Sequence, residues 1–185
     1  MVDLTDPHTV TWRNPPLRVF HGTDIDSANA MIKVVRLPAP TRAGGWDFGQ
    51  GVYFSASRDA AEEWAASRAV RRRSDAQVVE ILVSRSGFGA LRSIAFLDPP
   101  RVCDPTNPFW QYVNFCRSRT DSGRPEPSPS DADPYDIAIG PVVFGLEQSA
   151  PYIESRTRPR AFQICFKTKA AVDLLNDSRR QPVGP

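Results

Sequence analysis

The stretch from Trp46 to Ala65, W-D-F-G-Q-G-V-Y-F-S-A-S-R-D-A-A-E-E-W-A, narrows what this chain can fold into more than any other. It reads as a glycine-punctuated approach, a short strand and a helix. Asp47, Gly49 and Gly51 sit where a chain bends sharply or comes close to a ligand, since glycine tolerates backbone angles closed to other residues. Val52 to Ser55 is a brief β-prone run centred on Tyr53. Ser57 reads as an N-cap and Asp59 falls in the first turn. Ala60, Ala61, Trp64, Ala65 and Arg68 then follow at helical spacing. One aromatic on a strand and another one helix later suit a flat, ring-shaped ligand. They suit a hydrophobic core equally, where aromatics are found more often.

The 185 residues are enough for one domain with a sizeable core. Residues 17–175 are expected to form it, after a Pro-containing lead-in over 1–16 and before a polar, frayed tail over 176–185. The formal net charge of +2 does not force a nucleic-acid partner, because binders of that class concentrate their basic residues. The one basic run, Arg68 to Arg73, sits at the end of the expected helix, where it complements the helix dipole. Cys103, Cys116 and Cys165 are an odd count without paired spacing, and His8 and His21 lie far apart, so neither a disulfide framework nor a zinc site is suggested. No apolar run has bilayer-crossing length, and M-V-D-L-T-D-P lacks the pattern of a cleaved signal. The expected setting is a reducing one, cytoplasmic or reached by delivery without a cleaved signal. No membrane partner is indicated.

In chain order, Leu17 to His21 is a short alternating strand ending at Gly22-Thr23, and Ser27 to Val35 is a helix with Ala28, Met31, Ile32 and Val35 on one face. After the Ser57–Arg73 helix, Ala76 to Ser84 has the continuous apolar character of a buried strand. Ala90 to Phe96 is a candidate strand. Pro108 to Arg119 is a helix capped by Asn107. Residues 121–134, D-S-G-R-P-E-P-S-P-S-D-A-D-P, read as a mobile surface loop. Tyr135 to Phe144 is apolar around Gly140-Pro141, Ala161 to Phe166 is a strand, and Lys167 or Thr168 opens a closing helix through Leu175. Short strands interleaved with helices give an α+β domain, expected as a split, mostly antiparallel sheet with flanking helices and a central cleft.

The strands V-F-H-G-T (Val19 to Thr23), G-V-Y-F-S (Gly51 to Ser55) and F-Q-I-C-F (Phe162 to Phe166), in that order, resemble the ADP-ribosyltransferase superfamily on its diphtheria-toxin and poly(ADP-ribose)-polymerase side. That branch carries His on its first strand, Tyr on a later one and usually Glu on a third. The longer pattern is similar to an uncharacterised bacterial family of the same clan, through H-G-T, D-F-G-Q-G-V-Y, W-A, W-Q-Y-V, Y-D-I-A-I-G-P and Q-I-C-F. The resemblance spans Val19 to Leu175.

The resemblance implies NAD as co-substrate and no metal. It makes His21, Tyr53 and Gln163 the catalytic positions, and His21, Gly22, Thr23, Asp47, Gln50, Tyr53 and Trp64 the NAD-binding ones. The imidazole of His21 would hydrogen-bond a ribose hydroxyl. Gly22 would offer its backbone to the nicotinamide carboxamide, with the Thr23 hydroxyl beside it. Tyr53 would stack on nicotinamide, with Trp64 as a second ring. Ala61 stands where the polymerases often carry a carboxamide-binding Ser. Asp47 and Gln50 would line the rim, although Asp47 also suits a turn. The departure is Gln163, where the superfamily usually has Glu. Glutamine accepts a hydrogen bond but brings no charge, so a developing ribosyl cation is stabilised less. Asp136, Glu147 and Glu154 are candidates for a carboxylate supplied from elsewhere. Asn114 and Arg117 would reach the NAD pyrophosphate or lie on a solvated surface, and Arg18 has a similar split.

The implied activity is mono-ADP-ribosyl transfer from NAD to a macromolecular acceptor, protein or nucleic acid, by a bacterial toxin or defence effector. An antitoxin or immunity protein is an expected partner. A module that binds NAD or ADP-ribose with little turnover and an NAD glycohydrolase are the alternatives. A tRNA 2′-phosphotransferase shares the clan, but such enzymes usually need further Arg and His residues, and the histidine count argues against it.

Overall fold

Alternating and continuous apolar runs build seven strands, and runs with polar caps build five helices among the described residues. The computed structural model of the protein describes residues 15–39, 46–121, 135–144 and 156–184. The expected loop over 121–134 lies outside them except for its first residue, and so does the lead-in up to residue 14. The strands are β1 (Leu17–Asp24), β2 (Val52–Ser55), β3 (Ala76–Val83), β4 (Ser93–Ala95), β5 (Ile137–Phe144), β6 (Arg156–Phe166) and β7 (Arg179–Val183). The helices are α1 (Ile25–Lys33), α2 (Arg58–Arg72), α3 (Arg85–Gly89), α4 (Pro108–Asp121) and α5 (Lys169–Asn176).

The strands form one mostly antiparallel sheet in the order β4-β5-β6-β2-β1-β3-β7, with β4 and β5 the only parallel pair among the described residues. The α+β class expected from the sequence is therefore observed. Val19, Phe54, Val79, Ile81, Ile137, Ile164 and Phe166 share one core with Ala28 of α1 and Ala171, Val172 and Leu175 of α5. On the other face, Ala61 and Ala65 of α2 pack on Phe20 and Val78, while Phe109, Trp110 and Val113 of α4 pack on Ala138 and Cys165. Strand β2 lies between these two helix-covered strips. Strand alternation puts Tyr53, Ser55 and Gln163 on that same face, because Ser55 pairs with Gln163 and Tyr53 with Cys165.

Local chemistry explains where the boundaries depart from the sequence reading. Strand β1 runs on through Asp24 because Gly22, Thr23 and Asp24 still pair with Val78, Gln77 and Ala76. Asp24 then caps α1, accepting from the Ser27 amide at 3.0 Å, so the helix starts at Ile25 and ends at Lys33. Ser57 caps α2 and Thr168 caps α5 as their spacing suggests. The Asn107 side chain accepts from the Phe109 amide at 2.9 Å at the start of α4. Helix α3 was not expected from its glycine-containing sequence, and Ser84 caps it. The largest correction concerns the tail. Residues 179–183 are not frayed but form β7, pairing with β3 from Leu82–Arg179 to Val78–Val183. Among the described residues, no helix is long and apolar enough to cross a membrane.

Candidate functional site

Strand β1 spends its length on β3, with eight register pairs, and meets β2 through one, Phe20 with Ser55. The sheet is narrowest in its bonding at this junction, and His21 is the next residue. Its Nδ1 lies 2.7 Å from the backbone carbonyl of Tyr53 on β2. A carbonyl only accepts, so Nδ1 carries the hydrogen and the bond bridges the junction. Burial lowers the His21 pKa below its ordinary 6.5. The Tyr53 carbonyl pulls it up, Arg68 lowers it further and Asp24 raises it, with burial prevailing. The ring is neutral near pH 7, and Nε2 is a bare acceptor. It packs against Phe54 with centroids 5.5 Å apart. By alternation His21 is out of phase with Tyr53 and Gln163: Phe20 pairs with Ser55, so the next side chain leaves the opposite face, toward Phe54. No hydrogen bond joins its side chain to that of Gln163 among the described residues.

Tyr53 uses its phenol locally. The hydroxyl donates to the Gly49 carbonyl at 2.7 Å and accepts from the Phe48 amide at 3.0 Å. This fastens the turn before β2, where Gly49 has φ of 79°, a left-handed angle that favours glycine. Burial, with Cys165 and Asp47 adding to it, raises the Tyr53 pKa well above 10, so the side chain stays a neutral phenol. The ring meeting it is Trp46, edge-on with centroids 5.6 Å apart. Trp64, expected as a second stacking ring, stands on α2 with 47% of its surface exposed and does not touch Tyr53 in the described ring contacts.

Asp47 is a buried hub rather than a rim residue, 5% exposed. Its Oδ1 pairs with the guanidinium of Arg117. Its Oδ2 accepts from the Val143 amide at 3.0 Å and from Gln163 Nε2 at 2.6 Å. Arg117 is thereby turned inward, away from the pyrophosphate role considered for it. The sequence held a signal for this. Trp110, Val113 and Arg117 fall on one face of α4, and a charge on an apolar face announces a buried partner. Asn114, considered for the same role, has a buried Oδ1 without a hydrogen-bond partner among the described residues.

The remaining expected residues serve the frame. A Cβ on Gly22 would lie 1.8 Å from the Ala61 carbonyl oxygen, so the glycine lets α2 close on β1. Thr23 is fully buried and its hydroxyl donates to Asp24 Oδ2 at 3.4 Å, toward the start of α1. Burial alone would raise the Asp24 pKa, yet the Ser27 amide, Arg68 and the Ser27 hydroxyl together hold it well below the usual carboxylate range. Gln50 donates its amide to the Pro38 carbonyl, bracing the loop after α1. Arg18 pairs with Glu80, and Asp136 accepts from the Arg92 amide and the Thr168 hydroxyl. Neither Arg18 nor Asp136 is directed at the junction. Glu147 and Glu154 lie outside the described residues. The structure thus assembles two small units on neighbouring strands: His21 on the Tyr53 backbone, and Gln163 on Asp47 and Arg117. Each unit leaves one neutral acceptor able to take a hydroxyl, His21 Nε2 and Gln163 Oε1, but the register puts the two side chains on opposite faces of the sheet, His21 beside Phe54 and Gln163 with Tyr53 and Ser55. Comparison of the chain with protein-family models, with curated proteins and with solved structures returns no match.

Proposed function

We propose that this chain is an NAD-dependent mono-ADP-ribosyltransferase, acting as a bacterial toxin or defence effector on a macromolecular acceptor. The observation that carries the reading is the state of His21: neutral, with Nδ1 committed to the Tyr53 carbonyl and Nε2 left to accept. Such a nitrogen accepts from a hydroxyl, and a ribose offers hydroxyls. The resemblance carried by H-G-T, D-F-G-Q-G-V-Y and Q-I-C-F adds NAD as the source of that ribose.

On this reading, Tyr53 lends its ring face to nicotinamide, while its hydroxyl remains in the turn. The bond between nicotinamide and ribose C1′ breaks, and its electron pair leaves with nicotinamide. An acceptor nucleophile supplies the pair for the new bond to C1′ and gives up its proton to water. Holding the reactants in line supplies much of the rate. Gln163 Oε1 faces the developing positive charge with a dipole where a carboxylate would bring a full charge, so turnover is slower than a Glu site would give. The effector would work in a cytoplasm, with an antidote protein as partner.

The test is NAD labelled in its adenylate half, incubated with the protein and a bacterial lysate. Label removed by protease marks a protein acceptor, and label removed by nuclease marks a nucleic acid. Free ADP-ribose alone identifies a glycohydrolase, and intact NAD a binding module. His21→Ala is expected to slow nicotinamide release about 100-fold, as loss of a positioned hydrogen bond does. Tyr53→Phe keeps the ring and is expected to stay within about tenfold of wild type once its melting point is matched. Full activity in His21→Ala refutes the assignment.

A further inference from the structure

The two ends of a glutamine amide are alike in outline and opposite in chemistry: the oxygen accepts and the nitrogen donates. Which end meets a ligand depends on what holds the other. Gln163 Nε2 donates to Asp47 Oδ2 at 2.6 Å and lies 3.3 Å from the Pro141 carbonyl. Both of those oxygens can only accept. Turning the amide over would set its own oxygen against a carboxylate and a carbonyl, with no hydrogen between them. Asp47 cannot retreat, because Arg117 and the Val143 amide hold it in a buried position. Gln163 Oε1 is left without a hydrogen-bond partner among the described residues.

Resting on the transferase reading, we propose that Asp47 is a positioning residue that holds the Gln163 amide with its carbonyl oxygen toward the ribose of NAD. The carboxylate missing from β6 stands one hydrogen bond behind it. An amide that donates to a carboxylate is polarised, and its oxygen becomes a better acceptor. Arg117 supplies the countercharge that a buried carboxylate requires. Asp47 touches no substrate and acts only through Gln163.

A charge-conserving exchange tests this. In Asp47→Asn, an amide that can rotate replaces the fixed acceptor. In Gln163→Glu, two carboxylates face each other at hydrogen-bond distance. Each single variant is expected to lose about 100-fold in kcat, with KM for NAD changed less than about threefold. The double variant Asp47→Asn/Gln163→Glu restores a donor behind an acceptor. Because the Val143 amide then loses its acceptor and the Pro141 carbonyl its donor, recovery is partial: about tenfold above either single variant is expected, a non-additivity that a merely structural role for Asp47 would not produce. Melting temperatures check that each variant folds. The second readout needs no activity: the side-chain amide of Gln163 in nitrogen-15 NMR, assigned by its loss in Gln163→Glu. It should show slowed hydrogen exchange in wild type and lose that protection in Asp47→Asn. If Asp47→Asn fails to fold, the wild-type amide decides, and rapid exchange there overturns the proposal. With an active wild type, a double variant no faster than the slower single one also overturns it. A wild type that leaves NAD intact sinks the transferase reading and the ribose assignment with it, while a protected amide would still show the Asp47 tether.

Discussion

His21 carries its proton on the nitrogen that faces the sheet, and this makes the ring a pH-dependent part of the frame. Its pKa is lowered in the folded protein from 6.5. Below 6.5 the unfolded chain therefore binds a proton that the folded chain resists, so stability rises with pH through that window. Acidification from pH 7.5 to 5 is expected to destabilise the protein, and His21→Gln should flatten that slope. Urea unfolding of both proteins across the range checks it; equal slopes would refute a buried neutral imidazole. At this scale the sequence was partly legible. His21 and Tyr53 could be picked out because each sits on a short strand in a distinctive run. Gly22 could be picked out too, but its reason could not, since the group that excludes a side chain there is the Ala61 carbonyl on a helix 39 positions later. Arg117 and Asp47 are 70 positions apart, and only the packing of α4 on the sheet brings them together.

At the scale of elements, β7 shows why a polar ending can be ordered. R-R-Q-P-V has no apolar alternation, so reading it as a tail follows from composition. Its hold is polar and non-local. Arg180 Nε donates to the Ile32 carbonyl at 3.0 Å and Nη1 to the Asn176 carbonyl at 3.0 Å, at the ends of α1 and α5. One guanidinium thus satisfies orphan carbonyls at two helix C-termini, where positive charge is also favoured by the dipoles. Gln181 donates to the buried Glu80 at 2.7 Å, tying the strand to β3. Asn176 completes the knot, accepting from the Val35 amide at 2.8 Å and donating to the Val35 carbonyl at 3.0 Å. Arg180→Met, which keeps much of the apolar stem, is expected to cost about 2–3 kcal/mol from the lost charge-assisted bonds. A denaturant titration measures it, and a change below about 0.5 kcal/mol would show that β7 is held by its ladder alone. Helices α2, α4 and α5 were legible because Ser57, Asn107 and Thr168 announce them locally.

For the whole molecule, the order β4-β5-β6-β2-β1-β3-β7 places the one-pair junction inside the sheet rather than at an edge. On one side, β2 is joined to β6 through all four of its residues, and on the other β1 is joined to β3 along its full length. Hydrogen exchange is expected to divide accordingly. Amides of β2 that do not point to β6 should exchange well ahead of those shared by β1 and β3, and NAD should slow them selectively. Uniform protection across β2 and β1, or none gained with NAD, would refute this. That the domain is α+β could be read from short strands interleaved with helices. Where the sheet's bonding thins could not, because register depends on strands far apart in the chain. Mechanically, such a sheet is two panels stitched together by one register pair and the His21 bond, over a core they share. A small molecule lying across that seam would add a fastening that the backbone ladder does not supply.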